Sequence, residues 1–134
     1  MSGGHVVVDA ANVVGSRPDG WWRDREGAAR RLAGQLVAAL AADPAELAAA
    51  LGIAAPLTVH LVLEGRAARV DELPEHADLV VVRAPGAGDA TIAAVAADLD
   101  GPVVVVTADR GLRGIVMAGG AAAVGPRALL AVLP

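Results

Sequence analysis

The sequence contains no cysteine, no lysine, no tyrosine and no phenylalanine, so Trp21 and Trp22 are its only large aromatic residues. Without cysteine there is neither a disulfide framework nor a thiolate zinc site, and nothing favours secretion. Without phenylalanine or tyrosine the interior has to be built from valine, leucine, isoleucine and alanine, a palette suited to helices packed closely on a parallel sheet. Every basic residue is arginine, which together with the alanine excess reads as genomic composition rather than selection for phosphate contacts. No uncharged apolar run approaches the roughly 20 residues of a membrane span. The mean hydropathy of +0.54 therefore reflects a folded interior, and no membrane partner is expected. The opening residues lack the basic and apolar regions of a signal peptide, so the expected location is the cytoplasm. A formal net charge of -4 argues against broad electrostatic capture of nucleic acid. Any polyanionic substrate has to be held by a local arginine cluster or by metal ions.

What is present is a chain of 134 residues, the size of one domain with one core, and residues 1–134 are expected to form it. Five short β-branched runs alternate with longer alanine-rich stretches: Val6 to Val8, Leu57 to Leu63, Leu79 to Val82, Val103 to Val106 and Ala121 to Val124. Several are apolar throughout, as strands are when crossover helices cover both faces of the sheet. Between the first two, Leu32, Leu36, Val37 and Leu40 recur at helical spacing, and the helix resumes after Pro44 from Glu46 to Leu51. Further helices are predicted over Asp89 to Leu99 and, opened by Pro126, over Arg127 to Leu133. The expected order is β-α-β-α-β-α-β-α-β-α around a mainly parallel sheet. Gly15 to Gly20 and Gly65 to Pro74 are the expected mobile loops.

In an open parallel sheet, ligands bind beyond the carboxyl ends of the strands, which gives weight to acids placed there. Asp9 ends the first strand with Asn12 just beyond it, Asp109 follows the fourth strand after Thr107, and Asp89 opens the helix leading into that strand. Glu64 ends the second strand. Carboxylates gathered this way repel one another unless a cation compensates, and Mg²⁺ or Mn²⁺ is the hard cation such oxygen ligands suit. Each residue has a plainer reading as well. Asp89 and Asp109 are placed to cap helices, Asn12 to bond its own turn, Glu64 to lie solvated in a loop, and Thr107 to be an ordinary strand residue. Asp9 is the hardest to dismiss, because a charge ending a buried strand is costly without a partner. Arg110 and Arg113, with Arg17, Arg23 and Arg25, are either phosphate contacts or exposed helix charge. Trp21 and Trp22 either stack on bases or cover the core rim or a subunit interface. His60 sits mid-strand as a core or face histidine, with no zinc-like spacing to His5 or His76.

Three stretches, Val6-Val-Val-Asp9-Ala-Ala-Asn12, Gly86-Ala-Gly-Asp89-Ala-Thr-Ile-Ala and Val104-Val-Val-Thr107-Ala-Asp109-Arg110-Gly-Leu-Arg113, resemble the PIN-like superfamily, and within it the bacterial NYN type similar to the YacP group of predicted ribonucleases. The resemblance implies a three-layer α/β/α sandwich and metal-dependent hydrolysis of RNA. Asp9, Asp89 and Asp109 would serve as catalytic residues and metal ligands, with Glu64 as a fourth acid. Asn12, Thr107, Arg110 and Arg113 would position phosphate. Where the family often places a second acid beside the helix-start aspartate, this chain has Ala90 and Thr91. Two other functions stay open: hydrolysis of a nucleotide phosphoanhydride on the same acids, and a non-catalytic module that binds RNA or a protein partner, as a homodimer or under a regulatory protein.

Overall fold

The computed structural model describes residues 3–134; residues 1 and 2, part of the opening stretch read above for signal-peptide features, lie outside it. Five parallel strands form one sheet: β1 (Gly4–Asp9), β2 (Leu57–Leu63), β3 (Leu79–Arg83), β4 (Val103–Val106) and β5 (Ala122–Val124). Their spatial order is β3-β2-β1-β4-β5. The five expected strands are therefore all present, β2 and β4 with the bounds anticipated.

Pleating sorts the apolar runs into two layers, because successive side chains on a strand point to opposite faces. Val6 and Val8 of β1, Val59, Leu61 and Leu63 of β2, and Val104 and Val106 of β4 enter one core layer. Helices α2 (Arg25–Ala42), α3 (Pro44–Ala50) and α6 (Pro126–Leu130) supply its other side through Leu32, Leu36, Leu47 and Leu129, all at most 1% exposed. Val7, Val62, Val103 and Val105 face the opposite way, onto Ile92 of α4 (Gly88–Asp98) and onto Leu112 and Val116 of α5 (Arg110–Ala118). The result is the three-layer α/β/α sandwich expected from the sequence. Two aspartates start the α2–α3 pair: Asp24 accepts the Gly27 N–H (2.9 Å) and Asp43 the Glu46 N–H (3.1 Å), with Pro44 in the first turn of α3. Among the described residues no helix is long and apolar enough to cross a membrane.

Two expectations need correction. An additional short helix, α1 (Ala10–Gly15), follows β1 directly, and no α-helix joins β2 to β3. That connection is a 3₁₀ turn, Gly65–Arg69, followed by extended chain. Nor does the sequence from Gly65 to Pro74 hang free. Val70 is fully buried, Arg83 donates from Nη1 to the carbonyls of Ala68 and Val70 (2.7 Å each), and Arg30 donates from Nε to that of Glu72 (3.0 Å). These guanidinium bonds satisfy carbonyls that a structureless loop would leave to water.

On the α4–α5 side of the sheet His60 is buried and its Nε2 lies 3.0 Å from Nδ1 of His5, a contact concealed by their separation in sequence. Burial, and secondarily the neighbouring His5, lowers the His60 pKa below the ordinary 6.5. The folded protein then binds fewer protons here than the unfolded chain. Stability from this residue is present above pH 6.5 and is lost as pH falls toward the lowered folded value. His60→Gln should accordingly show a shallower decline in Tm than the wild type on acidification from about pH 6.5 to pH 5. Parallel melting curves with the same slope for both proteins would contradict this.

Candidate active site

The strand order turns at β1: the chain leaves β1 toward β2 and β3 on one side, then crosses to β4 and β5 on the other. At such a switch point the loops beyond two adjacent strands diverge and open a crevice at their carboxyl ends. Because β1 pairs with β4, with Val8 opposite Val106, the residues that follow both strands meet there.

Asp9 sits at the floor of this crevice and is 4% exposed. Its Oδ1 accepts the Asn12 N–H (3.2 Å), which makes it the cap of α1, and its Oδ2 accepts the Thr107 hydroxyl (2.8 Å). Thr107 is fully buried and its Oγ1 in turn accepts the Asp109 N–H (3.2 Å). The Asn12 side-chain carbonyl accepts the Ala108 N–H (2.8 Å). Residues 9, 12, 107, 108 and 109 thus form one hydrogen-bonded unit spanning the two strand ends. Asp109 is exposed and caps α5 through the Leu112 N–H (2.9 Å), so its plain reading as a cap holds. Asp89 does not cap α4. The residue before that helix is Ala87, which offers no side-chain bond, and Asp89 lies exposed in the first turn. The cap comes from another element: Glu64, beyond β2, accepts the Gly88 N–H at 3.0 Å. This lends Glu64 a structural duty that its position in sequence does not signal.

Electrostatics draw the four acids into one group. Burial raises the pKa of Asp9, the bonds from Thr107 and Asn12 oppose that rise, and the nearby charges of Glu64 and Asp89 add to it. Asp89 is raised as well, by desolvation, then by Asp109 and Glu64. Neither ion pair formed among the described residues involves any of the four. Their all-oxygen donor set, with uncompensated mutual repulsion, fits a hard divalent cation in chemistry and charge. Among the described residues no three acidic or histidine side chains close on one point.

The arginines separate into two sets. Arg113 turns its Nη2 toward the Ala123 carbonyl (3.5 Å), while Arg110 is exposed at the start of α5. Across the crevice, a 3₁₀ turn over Trp21–Arg23 presents both tryptophans, their rings edge to face at 5.9 Å. Arg25 lies over Trp21 at 5.1 Å and Arg23 over Trp22 at 5.7 Å. Arg66, which carries no motif signal, joins Arg23 and Arg25 around a cup of about 410 Å³.

Fold and site together define a doubly wound α/β protein with acids collected at its topological switch point. No protein-family profile and no curated protein matches the chain by sequence. By structure it is similar to Rae1 (YacP) from Bacillus subtilis, solved in a point-mutant form. The likeness has a TM-score of 0.61 at 19% identity and covers 95% of this chain and 72% of that one. The sandwich is therefore a YacP-like fold, the group to which the three sequence stretches pointed.

Proposed function

We propose that this protein is a ribonuclease that hydrolyses RNA phosphodiester bonds with Mg²⁺ or Mn²⁺. The observation that carries the reading is Asp9: a carboxylate buried at the switch point, fixed by two donors, neutralised by no arginine, and in the field of Glu64 and Asp89. Capping α1 gives this carboxylate a structural duty, but a buried charge without a cationic partner is costly and marks a functional site. Asp9, Asp89 and Asp109 would hold the ion, with Glu64 as a further acid. When bound, the ion supplies Lewis acidity toward water and phosphate. Thr107, whose hydroxyl is spent on Asp9, orients that carboxylate from within rather than touching substrate. Asn12 ties the end of β4 to α1 and keeps its amide NH₂ for a phosphate oxygen. Arg110, exposed beside Asp109, is placed to meet phosphate, and Arg113 supports it from its bond to β5. The YacP name of the structural neighbour, and the sequence resemblance to that group, support RNA over other phosphate esters.

The experiment is incubation of the wild type and Asp9→Asn with a mixed RNA pool and with free nucleotides, each in Mn²⁺, Mg²⁺ or EDTA. RNA cleavage that needs metal and disappears in the variant is the expected result. Cleavage of nucleotides alone would transfer the site to phosphoanhydrides, and hydrolysis of neither, with RNA still bound, would leave a binding module.

Gly88 provides an independent check on Glu64. A Cβ at this position would stand 2.8 Å from Glu64 Oε1 and 2.9 Å from its Cδ, so the carboxylate has to swing away. Gly88→Ala is expected to lower RNA cleavage about tenfold, as loss of an outer support does. Stability should change by less than about 1 kcal/mol, since better helix propensity offsets the lost cap. Urea denaturation beside a cleavage assay measures both. A variant as active as the wild type would remove Glu64 from the site.

A further inference from the structure

We infer that an apolar pocket beside the acids is a subsite for one unpaired base of the RNA, and that the neighbouring arginine cup takes a phosphate on the same strand. The inference rests on the ribonuclease reading and adds where the strand lies. The pocket encloses about 330 Å³ between α1, α2 and the two 3₁₀ turns, a volume at the small end of the range for ligand pockets. Ala10, Val14 and Ala29 form its apolar lining, and Trp21 brings an aromatic ring with the Arg25 guanidinium over it. Small side chains on three sides leave room where larger ones would have filled the gap.

Glu64 lines this pocket and also bears on the charges of Asp9 and Asp89, so the cavity adjoins the acid group. Arg25 lines both this pocket and the cup, where it is joined by Arg23, Arg66 and Trp22. Two acids, Asp24 and Glu26, also border the cup. Asp24 is engaged in capping α2 through the Gly27 N–H. Acids, apolar pocket and arginines therefore succeed one another along a single track. Base stacking on an aromatic wall is tolerant of sequence and gives affinity without a basic surface. A chain of net charge -4 needs that kind of grip on a polyanion.

The test uses the full chain carrying Asp9→Asn in Mg²⁺, with RNA hexanucleotides that bear 2-aminopurine at each position in turn. Fluorescence quenching should single out one position. Trp21→Ala should weaken binding about tenfold, the effect expected for one stacked base. An abasic nucleotide at the quenched position should cost the same, and the two changes together should cost no more than either. Trp21→Phe should retain most of the affinity, and Ala11→Leu, which fills the pocket from its exposed rim, should lose it. Arg66→Ala should reduce the slope of log K against log salt by about 0.7, one phosphate on a single strand. Binding indifferent to Trp21→Phe, Ala11→Leu and the abasic nucleotide overturns the subsite, and if the wild type still cleaves RNA the ribonuclease reading survives. Absence of both cleavage and binding overturns the two together. Binding with the base effect but without cleavage sustains the subsite and removes the catalytic reading.

Discussion

Asp9→Asn is expected to lower RNA hydrolysis more than about 100-fold, beyond the usual cost of losing an outer partner, and to melt no lower than the wild type in EDTA at pH 7. The two halves of this result have one cause. Asp9 has a folded pKa above the ordinary 3.8, so between those values the folded protein binds more protons than the unfolded chain. Stability therefore falls as pH rises through that window, and the penalty is fully present above it. The amide removes the charge and keeps the shape. Its oxygen can still accept the Asn12 N–H, and its NH₂ can donate to Thr107 Oγ1 once that hydroxyl rotates. Thermal melts of both proteins at pH 7 and pH 4.5 check the sign, because the advantage of the variant should shrink on acidification. A variant markedly less stable at pH 7 would mean that the aspartate is chiefly a helix cap.

Thr107→Val should cost about 2 kcal/mol, within the range for leaving buried polar groups unpaired. The substitution preserves β-branching and nearly the volume, so packing around a fully buried residue is little disturbed. What disappears is the hydroxyl that donates to Asp9 and accepts the Asp109 N–H. Asp9 then loses the stronger of the two bonds that hold its pKa down, and it should rise further. Activity should fall and its acidic limb should move to higher pH. Thr107→Ser, which restores the hydroxyl, should recover the pH profile even though the lost methyl leaves a small void. Denaturant midpoints and pH–rate profiles of the three proteins make the comparison. Equal pH profiles for valine and threonine would show that the bond to Asp9 is without consequence.

The sandwich was legible because its strands are mostly apolar runs and its long helix repeats leucines at helical spacing. Helix α1 was not. Ala10 to Val14 extends the apolar run of β1 without a change of period, and six residues are too few to establish a new one. The expected alternation calls for a helix between β2 and β3 while Gly65 to Pro74 reads as a mobile loop; the 3₁₀ turn found there is too short to leave a helical period in the sequence. For the site, position after a strand singled out Asp9, Glu64 and Asp109, and position at a helix start singled out Asp89. Glu64 capping α4 and Arg66 joining Arg23 are pairings between distant segments, and no local pattern encodes them. Asn12 lay between: its type suggested a turn bond, while its actual acceptor role toward Ala108 is set by the tertiary fold.

The central strand is also the first one in the chain. β1 finds β2 only after about fifty intervening residues, and the Asp9–Thr107 bond closes a separation of 98 positions. High contact order of this kind slows folding and places the decisive contacts late. During synthesis from the N-terminus, β1 therefore waits with an unpaired edge on the β4 side until residue 106 has cleared the ribosome. A nascent or truncated chain lacking β4 has no Thr107 to hold Asp9 and no Asp109 at all. The proposed hydrolytic centre is thus withheld until β4 and the residues that follow it have been made.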